Sequence, residues 1–377
     1  MNLFNVFIRN SQLLFSILAV SSFQLRTVSH IKPQNVMRMS LADRIRNGVL
    51  NKFPRDEVSR VITCWDNFNA GKKLHRYLDE DKKVLQDAMC YVDGLEASTF
   101  HDLSNYPWIS ELEKNYKKIY NELVSYECRQ RNIPEGNVVD IDSVMHNGAG
   151  PQGDGDWVGP RDAEGSDYGP EWRTLGLQDR SVWSEDIAPQ FPFTTSLLAE
   201  LKVPSCEIFF AKQGPQSGIK PHSDRNNFII TCHLGLDVPE GQCSILVGDE
   251  TYYWRNGKAV VFDTSVIHST FNSGSRTRYV LLIRLWHQGL TQTERDAFKL
   301  IFDFLDTAAY GEEALADFEA QQLFMGKDRH QGLSTTQAPS AELEQVEKEI
   351  KRGKGKNKER KILSGSPSRG KGFGSKK

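Results

Sequence analysis

What the chain lacks narrows the field first. Its six cysteines, Cys64, Cys90, Cys128, Cys206, Cys232 and Cys243, include no CxxC pair. That excludes a zinc ribbon or a thioredoxin-like redox motif. Six in 377 residues is also too sparse for a disulfide-stapled scaffold, so buried free thiols are expected. No Asn-x-Ser/Thr sequon occurs, which argues against an exported glycoprotein. The run Leu13–Val20 is apolar but far too short to span a bilayer, and no stable membrane span is expected. Asp154 and Asp156 lack the spacing and closing Glu of an EF-hand. The N-terminal part shows no repeat of about 34 residues, so a tetratricopeptide array is not apparent.

Acidic residues are scarce at both ends. Residues 1–42 contain none, only Arg9, Arg26, Lys32 and Arg38. A basic start, a short apolar run and then the small residues Ser21 and Ser22 have the shape of a secretory signal. The basic, Ser-containing stretch after it is of the transit-peptide kind. Together they point to a secretory or organellar leader, with plastid or endoplasmic reticulum as the expected compartment. A non-functional leader would leave the protein cytoplasmic. The stretch from Lys351 to Lys377 holds 11 Lys/Arg and one acid, Glu359, so the formal net charge of -2 averages an acidic body and a basic tail. Such a tail is expected to be solvated or to dock an acidic partner. Nonspecific nucleic-acid binding is the second reading, though only Phe373 is there to stack on bases.

What is present divides the chain. Residues 1–42 read as a targeting segment and 43–135 as a helical region. In the latter, Val58, Val61, Ile62, Trp65 and Phe68, then Trp108, Leu112, Tyr116, Ile119 and Leu123, recur at helical spacing. Residues 136–170, rich in Gly, Asp and Pro, read as a mobile lid or surface loop. Residues 171–312 read as a β domain with a C-terminal helix, and 313–377 as a polar, then basic, disordered tail. Short β-branched and aromatic runs begin at Cys206, Phe228, Cys243, Thr251, Ala259 and Tyr279, with turn residues between them. Asn256-Gly257 predicts a hairpin. Many short antiparallel strands at close intervals predict a mainly β sandwich or jelly roll. Thr291 and Glu294 form a capping box that opens a helix to about Ala309.

The chemistry sits among the strands. His222 and Asp224 form an HxD pair, and alternate residues of an extended segment point the same way. His268 follows 46 residues after His222, beside another strand. Two imidazoles and one carboxylate suit Fe(II) and leave three positions open. Arg278, at the start of an apolar strand, offers the planar fork that would hold the far carboxylate of a 2-oxo diacid. Arg276 and Arg284 are expected to face outward.

These pieces, in this order, resemble the aspartyl/asparaginyl β-hydroxylase family. The match runs from about Glu171 to Thr293 through Pro221-His222, His233-Leu234-Gly235-Leu236, Pro239-Glu240-Gly241, Val261-Phe262-Asp263-Thr264-Ser265, His268, Arg278 and Leu285-Trp286-His287. The resemblance implies a double-stranded β-helix of jelly-roll or cupin-like type. It also implies Fe(II), 2-oxoglutarate and O₂ as cofactor and cosubstrates, with His222, Asp224 and His268 on the metal and His233 and Arg278 on 2-oxoglutarate. The implied activity is that of a dioxygenase hydroxylating a carbon of a peptidyl Asp or Asn side chain, with release of succinate and CO₂.

Two positions depart from the pattern. Vertebrate protein hydroxylases of the family have Gly where this chain has Asp224, whereas bacterial lipid A hydroxylases keep Asp. Many members also carry an Arg two residues before the second-strand His, where this chain has Thr231. A lipid or small-molecule hydroxylase, and a non-catalytic jelly-roll binding module, therefore stand as alternatives to the peptidyl reading.

Overall fold

The computed structural model describes residues 39–133, 144–145, 155–160, 167–169 and 171–330, with side chains to 323. Nearly all of the expected leader, the basic end of the tail and most of the Gly/Asp/Pro-rich segment lie outside these residues. Among the described residues, no helix is long and apolar enough to cross a membrane.

The chain begins with helices α1 (Leu41–Lys52) and α2 (Ser59–Asn69). A hairpin of β1 (Leu74–Tyr77) and β2 (Leu85–Cys90) follows, so the N-terminal zone holds strands as well as the expected helices. Helices α3 (Ile109–Lys114) and α4 (Tyr116–Gln130) complete it. Then come β3 (Arg173–Asp179), β4 (Val182–Trp183), α5 (Pro192–Glu200), β5 (Ser205–Gln213), β6 (Ser217–His222), β7 (Arg225–Asn226), β8 (Ile229–Asp237) and β9 (Cys243–Val247). The β domain closes with β10 (Glu250–Tyr253), β11 (Ala259–Phe262), β12 (His268–Asn272) and β13 (Arg278–Trp286). Helix α6 (Gln292–Ala309) carries the expected capping box of Thr291 and Glu294. Helix α7 (Glu312–His330) occupies the stretch where a disordered tail is predicted to begin. Its first turns are held by Arg44, which donates to Glu312 and Glu319, and by Leu315, buried against α1 and α6 residues.

Two antiparallel sheets form the jelly roll. The larger has the order β11-β8-β13-β5-β3-β4, the smaller β10-β9-β12-β6, and β1-β2-β7 make a third. Alternation along the larger sheet decides what faces where. Ile208, Phe210, Ile230, Cys232, Leu234, Leu281 and Ile283 pack in one cluster with Ile119 and Leu123 of α4. The residues between them, among them Phe209, Thr231, His233, Leu282 and Arg284, line a cavity on the opposite face. Both faces are covered, which is why all nine residues of β8 are buried. All six cysteines are free and buried, as expected.

Two local expectations change. Asn256-Gly257 does not close a hairpin, because it carries the chain from β10 in the smaller sheet to β11 in the larger. The two-residue hairpin loop is Gly248-Asp249, between β9 and β10, with Gly248 at φ +60°. The described parts of the 136–170 segment are also pinned. Trp157 donates from its indole to Glu127 at 2.6 Å, Val158 bridges Thr174, and Tyr168 bridges Ile219. Indole and phenol rings bury apolar area that a free loop would leave in water.

Gly235 marks a close crossing. A Cβ there would lie 2.3 Å from the Arg255 carbonyl oxygen. Backbone cannot yield as a flexible side chain does, so Gly235→Ala is expected to destabilise by roughly 1–3 kcal/mol, the usual range for overpacking. A shift of the urea midpoint to lower concentration checks it, and an unchanged midpoint refutes it.

Candidate metal and anion site

Strand register brings the two histidines together. His222 ends β6, His268 begins β12, and the two are directly paired across the smaller sheet. Asp224 lies two residues beyond His222, where its N–H donates to the Thr264 carbonyl at 2.8 Å. That turn folds the carboxylate back beneath both rings. Its Oδ1 sits 3.8 Å from His222 Nε2 and 3.9 Å from His268 Nε2. Among the described residues, His222, Asp224 and His268 form the one cluster of three side chains whose ligand atoms all lie within 4.8 Å of one another.

The imidazoles are oriented for ligation. His222 Nδ1 lies 2.7 Å from the Lys220 carbonyl, and His268 Nδ1 lies 2.9 Å from that of Val266. A carbonyl only accepts, so each Nδ1 carries the proton and each Nε2 offers its lone pair to the cluster. Burial, then the neighbouring His222, pushes the His268 pKa down to about 4, which keeps the ring neutral. Burial pushes the Asp224 carboxyl up, but Arg284, His268 and His222 together outweigh it and hold it below its ordinary value. A neutral His268 imidazole and an ionised Asp224 carboxylate are the protonation states a divalent cation requires of these groups.

The cavity has a volume of about 750 Å³ and runs from Arg278 past the cluster toward α6. At one end, Arg278 is 2 % exposed. Its Cζ lies 4.4 Å over the ring of Trp254, which supplies a face for the cation. Its Nε and Nη1 have no hydrogen-bond partner. A buried guanidinium with idle donors is costly unless an anion completes it. His233 stacks on the same Trp254, with ring centroids 5.6 Å apart. Burial first, then Arg278, push the His233 pKa well below its ordinary value. The Nδ1 of His233 and the Oγ1 of Thr231 are likewise buried without partners. This set of donors fits a small dicarboxylate, so the residues present suit the cosubstrate that the resemblance implies.

Arg284 corrects a prediction. Instead of facing outward it shares the inward face of β13 with Arg278 and Leu282, an even number of residues away. Its Nη1 donates to Asp224 Oδ2 at 2.9 Å, and its Nε lies 3.4 Å from Glu207 Oε2. It also stands directly across from Thr231. A positive charge thus stands on the neighbouring strand opposite position 231, paired with Asp224 and Glu207. Burial, opposed by Arg284, pushes the Glu207 carboxyl up to about 7. Trp254, Arg284 and Glu207 are the site residues that sequence reasoning missed. Strand parity counted from Arg278 would have found Arg284. No local signal marks Trp254, which reaches the site by a crossover between sheets.

Residues 113–288, just under half of the chain, match the family model described as aspartyl/asparaginyl β-hydroxylase. The human aspartate beta-hydroxylase domain-containing protein 2 is 33 % identical over 140 residues, which is 35 % of this chain and 38 % of that protein. The human aspartyl/asparaginyl beta-hydroxylase is 27 % identical over 135 residues, 35 % of this chain and 18 % of that one. An ornithine lipid ester-linked acyl 2-hydroxylase from Rhizobium tropici is 28 % identical over 186 residues, 48 % of this chain and 58 % of that protein. The chain thus spans less than two thirds of the length of each.

Proposed function

We propose that this chain, whose segment 113–288 is of the aspartyl/asparaginyl β-hydroxylase family, is a dioxygenase that hydroxylates a substrate carbon with Fe(II), 2-oxoglutarate and O₂. The observation that supports this most is the pairing of a two-histidine, one-carboxylate cluster with a buried guanidinium, two of whose nitrogens have no hydrogen-bond partner, in one cavity. A metal-binding module alone has no use for Arg278. An anion-binding pocket alone has no use for three convergent ligand atoms.

His222, Asp224 and His268 would hold the metal, and Arg278 and His233 the cosubstrate. Iron with 2-oxoglutarate supplies the oxidising chemistry, yielding succinate and CO₂. The chain's own part is orientation and exclusion of water. Arg278 takes a carboxylate bidentately and so fixes the cosubstrate along the cavity axis. Trp254 and Phe262 wall the site beside His233, which lowers the local dielectric and strengthens the Arg278 contact. The neutral His233 presents a ring nitrogen without charge competition against Arg278. The cavity beyond the cluster, walled in part by Phe209, Trp172 and Leu282, would receive the substrate. A peptidyl Asp or Asn side chain is the substrate class that the family and the domain name of the human relative support. The name of the Rhizobium relative supports an acyl chain as the second reading.

The direct test is incubation of purified protein with Fe(II), ascorbate and 2-oxoglutarate, with and without Asp-containing peptides or acyl lipids. Metal-dependent succinate is expected, released at a basal rate without substrate and faster with the right one. No succinate under any of these conditions would sink the enzymatic reading in favour of a non-catalytic binding module.

A further inference from the structure

The two oxygens of Asp224 face different partners. Oδ1 points at the two histidine Nε2 atoms, while Oδ2 accepts from Arg284 Nη1. Arg284 is itself held in place. It lies in β13, paired with β8 through Thr231 on one side and with β5 through Glu207 on the other. Glu207 Oε2 approaches its Nε at 3.4 Å.

We propose that Arg284 is a positioning residue that holds Asp224 so that it ligates the metal through Oδ1 alone. The inference rests on the metal reading above and adds to it. A carboxylate left to itself can swing to bind a cation through both oxygens. Two imidazoles and a bidentate carboxylate would fill four of six positions on an octahedral ion. A chelating 2-oxo acid needs two positions and O₂ a third, so one ligand too many would be present. With Oδ2 bound to Arg284, Asp224 takes one position and three stay open. An arginine suits this role better than a lysine. Its planar fork fixes direction and reaches Glu207 and Asp224 from separate nitrogens, which a single ammonium cannot do.

The sign of one measurement separates this role from mere proximity. A fixed positive charge near a dication repels it. If Arg284 were only a neighbouring charge, its removal would tighten metal binding. If it orients Asp224, its removal weakens binding, by the roughly 10- to 100-fold typical of outer partners of metal ligands.

The experiment is titration of the full chain with Mn(II), followed by the electron paramagnetic resonance of free ion, without cosubstrate. Arg284→Met is expected to raise the Kd about 10- to 100-fold, and Arg284→Lys by less. In an Asp224→Asn background, Arg284→Met is expected to add almost nothing, since the ligand it orients is already altered. The double variant Arg284→Met/Glu207→Gln removes both buried charges, so that an unpaired Glu207 does not unfold the strand. It should show the same loss. The visible absorption of the Co(II) form is expected to change in Arg284→Met and to return toward wild type in Arg284→Lys. Mn(II) bound by Arg284→Met as tightly as by wild type, or tighter, overturns the inference and leaves the metal reading standing. Wild-type protein that binds no Mn(II) overturns the metal reading, and this inference with it.

Discussion

Replacing His268 by alanine is expected to abolish metal-dependent succinate formation while leaving the fold intact. His268 gives one of two imidazoles to the cluster, and its Nε2 and that of His222 both face Asp224 Oδ1. One imidazole and one carboxylate remain after the change, and the cluster loses a neutral nitrogen donor 3.9 Å from Asp224 Oδ1. The Mn(II) Kd should rise beyond the ~10- to 100-fold that loss of an outer partner costs, and turnover should fall to background. The fold should survive because β12 is held on both sides by main-chain pairing with β6 and β9, and the ring adds one hydrogen bond to a carbonyl. Circular dichroism and the thermal midpoint report that half of the expectation. A folded His268→Ala protein with wild-type turnover would remove the cluster from the mechanism altogether.

Arg278→Met is expected to act on the cosubstrate instead. Leaving a buried carboxylate without its charged partner costs about 2–5 kcal/mol. At about 1.4 kcal/mol per decade, that is roughly a 30-fold to several-thousand-fold rise in the KM for 2-oxoglutarate. Turnover at saturating cosubstrate should change far less, and metal affinity hardly at all. Arg278→Lys keeps the charge without the fork and should recover only part of the loss. A second consequence has the opposite sign. Burial lowers the Arg278 pKa to about 10, and two of its nitrogens have no partner in the cosubstrate-free protein. Replacing it by an apolar side chain of similar length removes that desolvation cost, so Arg278→Met should melt higher than wild type without 2-oxoglutarate. A KM unchanged within twofold would show that the anion is bound elsewhere.

Much of the core was legible because periodicity is a local property. The expected strands at Cys206, Phe228, Cys243, Thr251, Ala259 and Tyr279 and the capped helix after Thr291 lie within a few residues of the observed ones. Of the helical stripes, Val61, Ile62, Trp65, Ile119 and Leu123 are buried, while Phe68, Trp108 and Tyr116 are half-buried. Strands with weaker signals went unread. β6, Ser217–His222, contains Gly218 and Pro221, both poor strand formers. It exists because β12 pairs with it. β1 and β2 sit in a polar stretch and owe their order to each other and to β7. The Asn256-Gly257 turn misled because a turn signal fixes a reversal but not the sheet to which the chain returns.

The sequence by itself determined the candidate ligand types, their spacing along the chain and the arginine ten residues beyond His268. Those follow from chemistry that only imidazole, carboxylate and guanidinium can perform. It also held the parity of β13, from which the inward face of Arg284 follows. Only the tertiary structure decided which atoms meet. The pairing of His222 with His268, the placing of Trp254 beneath Arg278, and the placing of Arg284 across from Thr231 all depend on strand register. Register is set by contacts between segments tens of residues apart, and such contacts leave no local trace in the residues that make them.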